Sequence, residues 1–225
     1  MNAVARLMNS TVGLKVTMAV TGFLMFGFVI VHMIGNLQVF LPIHPGEPHA
    51  LDAYAAFLDE TAHGAIKWGN RALLLVALVL HVRAFRLLAV RAGAARPQDY
   101  AGRQNLASTL MSRTMRISGP ILFVFIVFHL LHFTVGIDAI SAYEYGKVYD
   151  NLKAGFANPV LVAVYVVAML ALGPHLAHGG YSMFRSLGLT DRGTAELARK
   201  VAIGLAAIVT VANISIPIFV FAVLR

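Results

Sequence analysis

Six histidines lie inside apolar stretches of the sequence, where a membrane-spanning helix would bury them. The stretch 117–137 reads ISGPILFVFIVFHLLHFTVGI and carries two of them, His129 and His132, three residues apart. The other four are His32, His81, His175 and His178. A membrane span rarely contains an ionisable side chain unless the protein binds or transfers something with it, so these histidines are the candidate functional residues. The chain has no cysteine, and any redox centre held within it must therefore use nitrogen ligands.

The composition is that of an integral membrane protein. Of the 225 residues, 59% are hydrophobic and 12% are charged, whereas soluble domains carry about a quarter charged residues. Five apolar stretches are long enough to cross a bilayer, and they predict an all-α integral membrane fold, a bundle of five transmembrane helices. The predicted spans are about 14–41, 69–90, 117–137, 157–184 and 201–224. No internal repeat divides them, so residues 1–225 are predicted to form a single transmembrane domain, and we expect no cleaved signal peptide.

The basic residues predict how the helices are oriented. The net charge of +8 would suit a nucleic-acid-binding protein, but the basic residues lie in short loops between the apolar stretches. Most fall on one side, namely Arg6, Lys15, Arg83, Arg86, Arg91, Arg96, Arg103, Arg113, Arg116, Arg185, Arg192, Arg199 and Lys200. The other side has Lys67, Arg71, Lys147, Lys153 and Arg225. The positive-inside rule then places the N-terminus in the cytoplasm and the C-terminus outside, and we expect no nucleic-acid partner.

The predicted orientation assigns four of the histidines to two depths. His32 and His129 each lie roughly eight residues before the outer end of an outward-running span, which is about 12 Å below the surface at 1.5 Å per residue. His81 and His175 each lie roughly ten residues before the inner end of an inward-running span, about 15 Å from that edge. The spacing therefore predicts an outer histidine pair and an inner histidine pair.

Two imidazoles that face each other at one depth, without a carboxylate or thiolate beside them, suit a six-coordinate b-type haem. The two pairs therefore predict two b haems stacked across the membrane, with His32 and His129 on one iron and His81 and His175 on the other. Glycines in the spans would let a flat ring approach the backbone, although such glycines also serve ordinary helix packing. These small positions are Gly22, Gly27, Gly35, Gly119, Gly136 and Gly173.

His132 and His178 lie one turn nearer a membrane face than their neighbours His129 and His175. We expect them to hydrogen-bond a haem propionate, a quinone or a backbone group. Spacing alone leaves open an exchange of iron ligand between His129 and His132, or between His175 and His178. Another function is open as well, because histidines inside a span also bond to neighbouring helices or line a proton path. A transporter that uses a histidine proton relay without haem is therefore the non-redox alternative.

Four segments around these histidines resemble the membrane anchor subunits of succinate dehydrogenases and fumarate reductases. The segments are FVIVHMIGN around His32, LVLHVRAF around His81, FIVFHLLHFTVG around His129 and HLAHGGYSMFRSLGL from His175. More narrowly, the chain is similar over nearly its whole length to the single-chain, five-span, two-haem cytochrome b558 type. The resemblance implies that the inner pair holds the haem proximal to the cytoplasm and that the outer pair holds the distal haem. It also favours His129 over His132, and His175 over His178, as iron ligands.

The resemblance implies a function in electron transfer. The chain would be the di-haem membrane subunit of a succinate:menaquinone oxidoreductase, respiratory complex II of the tricarboxylic acid cycle, in the bacterial cytoplasmic (inner) membrane. A flavoprotein subunit would oxidise succinate, and an iron–sulfur subunit would pass the electrons through the proximal and then the distal haem to menaquinone. The alternatives are the reverse enzyme, quinol:fumarate reductase, and a di-haem cytochrome b of another quinone-linked dehydrogenase.

Reduction of a quinone requires a proton donor near the outer haem. Asp59, Glu60 and His63, just before the second span, are the candidate residues, and the segment FLDE resembles the acidic position of the family. The same residues would also suit a solvated loop without a catalytic role. Trp68, which follows them, is expected to anchor the helix at the membrane interface.

The remaining polar residues of interest lie in loops or near helix ends. Four arginines on the cytoplasmic side are expected to contact the iron–sulfur subunit and to neutralise haem propionates, or only to set the orientation of the helices. They are Arg83, Arg86, Arg113 and Arg116. In the outer loop, His44, His49 and His63 are expected to be exposed at the surface.

Overall fold

Within residues 3–95 and 110–224, which the computed structural model describes, the chain forms helices and no β-strand. The helices are α1 (Ala3–Asn9), α2 (Thr11–Asn36), α3 (Ala50–Glu60), α4 (Ala65–Ala94), α5 (Leu110–Leu130), α6 (Val148–Phe156), α7 (Pro159–Ser186) and α8 (Ala195–Phe219). Short 3-10 or π turns follow four of them, namely Leu37–Phe40 after α2, Thr61–Gly64 after α3, Leu131–Val135 after α5 and Val220–Leu224 after α8. Five of the described helices are long and apolar enough to span a membrane, so the predicted all-α five-helix membrane bundle is confirmed.

Capping residues explain why two of the spanning helices begin where they do. The first residue of α7 is Pro159, because the Asn158 side chain accepts a backbone N–H of the first turn at 2.9 Å and proline fits that turn. α4 begins at Ala65, earlier than predicted, directly after Gly64 in the left-handed conformation with φ of 74°. Ala62 and His63 before it also have positive φ, and the three residues together separate α4 from α3.

α7 is the central helix of the bundle. It contacts α2, α5 and α8, and α2 in turn contacts α4. At mid-depth, Met33 of α2 is buried together with Leu176 of α7 and Val209 of α8. Nearer the predicted outer end, Tyr165 of α7 is buried with Phe156 of α6. Other faces of the long helices carry exposed aliphatic and aromatic side chains, as expected for helices that contact lipid.

Two short helices cover the predicted outer end of the bundle. α3 lies in the segment between the first two predicted spans, and α6 lies between the third and the fourth. The nine residues of α6 place Tyr149, Leu152 and Phe156 on one buried face. The two helices are joined because Asp52 of α3 accepts the backbone N–H of Tyr149 at 2.9 Å.

His49 is buried, so the expectation that it is exposed was wrong. Its side chain is 5% exposed, and its Nδ1 caps α3 by accepting a backbone N–H at 3.1 Å. Its ring stacks on Tyr149, with ring centres 4.0 Å apart and planes at 18°. Burial raises the pKa of Tyr149 and the charge of Asp150 raises it further, so the stacked phenol remains neutral. His44 and His63 are exposed as expected.

The orientation of the helices in the membrane stays a prediction. Three of the basic residues behind it lie outside the described residues, namely Arg96, Arg103 and Arg225. Arg83 and Arg91 near the end of α4 both bond to Asn9, at 2.6 Å to its side chain and 2.7 Å to its carbonyl respectively. The start of α2 and the end of α4 therefore lie at the same end of the bundle, as the predicted antiparallel pairing requires.

Candidate functional site

The structure brings His32 of α2 and His129 of α5 together. Their ring centres are 5.8 Å apart, and their planes cross at 81°. Imidazole nitrogens bind metals at about 2 Å, so two axial rings on one iron have centres roughly 6 Å apart. Phe28 stacks on His32 at 5.3 Å and Phe125 packs against His129 at 5.9 Å, which makes the surroundings apolar. These two rings therefore have a spacing that fits one haem iron.

The hydrogen-bond partners of the outer pair indicate which nitrogens are left for a ligand. His129 Nδ1 lies 3.3 Å from the hydroxyl of Tyr165, and its Nε2 has no partner among the residues that the structure describes. His32 Nε2 lies 3.0 Å from Nδ2 of Asn36, one turn further along α2. Because an amide nitrogen only donates, His32 Nε2 carries a lone pair, which is the form of the ring that binds a metal.

The inner histidines each bond to a hydroxyl on a neighbouring helix. His81 Nδ1 is 3.1 Å from Oγ1 of Thr21, and this hydroxyl donates to the Thr17 carbonyl at 2.7 Å. When this hydroxyl donates to the Thr17 carbonyl, it accepts the Nδ1–H of His81, which leaves a lone pair on Nε2. His175 Nδ1 lies 3.3 Å from the buried Oγ of Ser118.

Two of the predicted small positions lie against the inner histidines. A Cβ atom at Gly22 would lie 3.5 Å from Cε1 of His81, and one at Gly119 would lie 4.0 Å from Cε1 of His175. Each glycine therefore lets an imidazole lie beside a helix backbone. Other predicted small positions contact tyrosine or threonine side chains and serve helix packing, namely Gly35, Gly136 and Gly173.

His132 and His178 bond to hydroxyl side chains of the protein. His132 is 1% exposed, with Nδ1 3.0 Å from the hydroxyl of Tyr165 and Nε2 2.9 Å from Oγ of Ser141. Both nitrogens of His132 are thus engaged, whereas His129 keeps Nε2. His178 Nε2 lies 3.1 Å from a serine hydroxyl one turn further along α7. Contacts of His132 and His178 with a propionate or a quinone stay predictions.

The candidate residues for quinone protonation lie where α3 meets α4. Asp59 forms an ion pair with Lys67 and accepts a hydrogen bond from the Tyr145 hydroxyl at 2.9 Å. The ammonium group of Lys67 also donates to the Tyr145 oxygen at 3.3 Å. Glu60 and His63 are exposed beside this cluster. Across the ranges that the structure describes, no three or more histidine or acidic side chains are arranged to hold a metal ion.

A comparison with protein families decides what kind of protein these helices form. The family described as the succinate dehydrogenase/fumarate reductase transmembrane subunit matches residues 94–213, more than half of the chain. The chain belongs to this family. The match includes His129 and His175 of the transmembrane subunit, whereas His32, His81 and Asp59 precede it. No curated protein and no solved structure matches the chain.

Family membership and the five spanning helices establish the coarse function. The chain is a multi-pass membrane anchor in an oxidoreductase complex of the succinate dehydrogenase or fumarate reductase type. Membership in this family implies that the anchor assembles with a flavoprotein subunit and an iron–sulfur subunit. The resemblance given by the four histidine segments is therefore confirmed at the level of the family.

The four arginines predicted to contact the iron–sulfur subunit lie in α4 and α5 and are not equivalent. Arg83 is engaged with Asn9 inside the subunit, whereas the other three are exposed and available to a partner, namely Arg86, Arg113 and Arg116. At the opposite end, Trp68 is 63% exposed, and the guanidinium of Arg71 lies 4.8 Å from the centre of its ring. This exposed, cation-flanked indole is the arrangement expected of an interfacial anchor.

The hydroxyl partners of the histidines were not predicted from the sequence, and Tyr165 is the most important of them. The signal was present, because Tyr165 lies roughly eight residues inside the predicted start of its span, about 12 Å below the outer surface. This is the depth predicted for His129. A polar side chain in the apolar segment VLVAVYVVAML at the depth of a predicted ligand could therefore have been assigned to the outer pair.

Proposed function

We propose that the anchor is the di-haem cytochrome b subunit of a succinate:menaquinone oxidoreductase, of the cytochrome b558 type. The main observation behind the proposal is that His32 and His129 lie with their ring centres 5.8 Å apart in apolar surroundings. In this proposal they are the axial ligands of the distal haem, and His81 and His175 are those of the proximal haem. The bound haems supply reversible one-electron chemistry.

The residues around the ligands orient them for this task. Thr21 accepts the Nδ1–H of His81, and the hydroxyls of Ser118 and Tyr165 lie beside Nδ1 of their own histidines. A hydrogen bond at Nδ1 turns Nε2 toward the metal and raises the basicity of the ring. The lone pair that His32 now offers to Asn36 is the one that an iron would take. The spacing of the outer pair therefore fits bis-imidazole ligation, and the engaged nitrogens of His132 support His129 as the ligand. For the inner pair, the proposal is supported by the hydroxyl partners of His81 and His175.

Quinone reduction is proposed to take place near the distal haem, at the predicted outer side. Asp59 is the proposed proton-transfer residue: its carboxylate, which Lys67 and Tyr145 hold where α3 meets α4, would take up a proton from solvent and pass it to the reduced quinone. Glu60 and His63 are exposed and could resupply the proton from solvent. Menaquinone is the proposed acceptor, following the resemblance to the b558 type.

The dicarboxylate chemistry is proposed to belong to the flavoprotein, with the iron–sulfur subunit bound at the predicted cytoplasmic face. Arg86, Arg113 and Arg116 are exposed there and provide positive charge for the contact. The proposed location is the bacterial cytoplasmic membrane with the N-terminus inside. The family includes succinate dehydrogenases and fumarate reductases, so the quinol:fumarate reductase direction is the second candidate function.

Replacement of each proposed ligand tests the assignment. We expect His32→Ala and His129→Ala to lose one haem, and His81→Ala and His175→Ala to lose the other, in reduced-minus-oxidised spectra of the purified complex. His44→Ala, which changes an exposed outer-loop histidine, is the matched control and should retain both haems. A wild-type protein without a b-type α band would refute the proposal, and so would retention of both haems in all four variants.

A further inference from the structure

Tyr165 lies between two histidines of α5 and its continuing turn. Its hydroxyl is 3.3 Å from Nδ1 of His129 and 3.0 Å from Nδ1 of His132. The second histidine is itself bonded through Nε2 to Oγ of Ser141 at 2.9 Å. These four side chains form one hydrogen-bonded chain that runs from a proposed iron ligand to the loop after α5.

The side chains packed around Tyr165 offer its hydroxyl no other hydrogen-bond partner. Tyr165 is 7% exposed, and four phenylalanine rings lie within 4.9 to 6.1 Å of its ring centre. They are Phe125, Phe128, Phe133 and Phe156. Since these rings offer no strong hydrogen-bond acceptor, the two histidines are the only partners of the hydroxyl among the described residues.

The chain of hydrogen bonds can have only one direction if His129 binds iron through Nε2. Its Nδ1 then carries the hydrogen and donates it to the Tyr165 oxygen. The hydroxyl has one hydrogen, so Tyr165 must donate to Nδ1 of His132. His132 Nε2 then carries the hydrogen and donates to Ser141. Reversing the direction would place the hydrogen of His129 on the nitrogen that has to bind the iron.

His132 is held tightly in the position that this direction requires. The ring of Phe133 stacks on it, with centres 3.8 Å apart and planes at 22°. On another side, a Cβ atom added at Gly155 would lie 2.8 Å from Nε2 of His132, so this helix backbone approaches the ring closely. Little room is left for the imidazole to turn away from Tyr165 and Ser141.

We propose that Tyr165 and His132 are positioning residues of the distal haem. His132 accepts the hydroxyl hydrogen of Tyr165, so the Tyr165 oxygen accepts the Nδ1–H of His129. The Nε2 atom of His129 is then free to bind iron. The inference rests on the proposed function, because it takes His129 as an axial ligand. His132, which is buried and is not a proposed iron ligand, would thus act by fixing the direction of the hydrogen bond between Tyr165 and His129. Among the described residues, His81 of the inner pair has no such relay through a second histidine, since its partner Thr21 lies 2.7 Å from the Thr17 carbonyl.

The first test is Tyr165→Phe, which removes only the hydroxyl. We expect both haems to remain, and the midpoint potential of the distal haem alone to rise, because His129 loses the acceptor that increases its electron donation to the ferric iron. A change of up to about tenfold in the ferric/ferrous equilibrium corresponds to about 59 mV for a one-electron couple. Tyr181→Phe, in a tyrosine that contacts Arg185 at the other end of α7, is the matched control and should shift neither potential.

The second test compares two replacements of His132. His132→Leu removes the acceptor, so the Tyr165 hydroxyl donates to His129 Nδ1 and favours the tautomer with the hydrogen on Nε2. Because Nε2 is the proposed iron-binding nitrogen, we expect the distal haem to be bound about 10–100-fold more weakly. His132→Asn places an amide oxygen near the position of Nδ1 and should restore distal haem content toward that of the wild type. Equal haem content in the two variants would overturn the relay.

The outcomes separate this inference from the proposed function. If His129→Ala loses the distal haem but Tyr165→Phe leaves its midpoint potential and its electron paramagnetic resonance signal unchanged, the positioning role is refuted and the di-haem assignment stands. If His129→Ala retains both haems, both are refuted. A shift confined to the distal haem in Tyr165→Phe, together with rescue by His132→Asn, is the result that the inference predicts.

Discussion

Replacing Thr21 with valine should weaken the proximal haem site without changing the shape of the helix surface. Thr21 is 5% exposed, and its hydroxyl oxygen lies 3.1 Å from Nδ1 of His81. Valine has nearly the same volume but no acceptor, so the Nδ1–H of His81 would be left unpaired inside the bundle. An unpaired buried donor costs about 1–3 kcal/mol. That range agrees with the loss of about 10–100-fold in metal affinity that follows removal of the outer partner of a histidine ligand.

The assay is the transfer of haem from the purified complex to an excess of a haem-accepting apoprotein, followed in the α band of each haem. We expect the proximal haem of Thr21→Val to be lost about 10–100-fold more readily, while the distal haem in the same sample is unaffected. Thr17→Val is the matched control, because its hydroxyl donates to the Gly13 carbonyl of its own helix at 2.9 Å and contacts no histidine. Equal retention of the proximal haem by Thr21→Val and Thr17→Val would refute the reasoning.

Two further predictions concern the outer end of the anchor. Asp59→Asn should slow menaquinone reduction by about 100-fold, which is within the usual contribution of a general acid, while haem content stays unchanged. Asp138→Asn in the outer loop is the control. Equal rates of menaquinone reduction in the two variants would contradict the role of Asp59. His49→Ala should destabilise the anchor by about 0.5–2 kcal/mol or more, because it removes the cap of α3 and the stacking on Tyr149. Thermal unfolding in detergent measures the effect against His44→Ala, and identical midpoints would contradict it.

The proximity of His32 and His129 was accessible from the sequence because a helix converts residue number into depth. Counting from the ends of the spans placed His32 level with His129, and the structure puts their ring centres 5.8 Å apart. The same arithmetic applied to Tyr165 would have added the hydroxyl that lies beside His129. Depth alone does not give rotation about the helix axis. For this reason the sequence could not show that His132 bonds to Tyr165 and Ser141, whereas His129 keeps a nitrogen for a ligand.

The helices that cover the outer end were harder to predict. α6 has only nine residues, and its apolar residues Tyr149, Leu152 and Phe156 are too few to distinguish a buried helix from a tyrosine-rich loop. The burial of His49 depends on this helix, because the imidazole stacks on Tyr149. A histidine in a loop that contains Pro and Gly looks exposed when the element that covers it is not recognised. Tertiary packing decided both features, and local sequence pattern did not.

Counting the haem b bound per polypeptide in the purified, intact complex tests the central claim most directly. We expect two haems per anchor chain, each lost when one histidine of its own pair is replaced. A single haem, or none, in a complex that still contains the anchor and its partner subunits would contradict it.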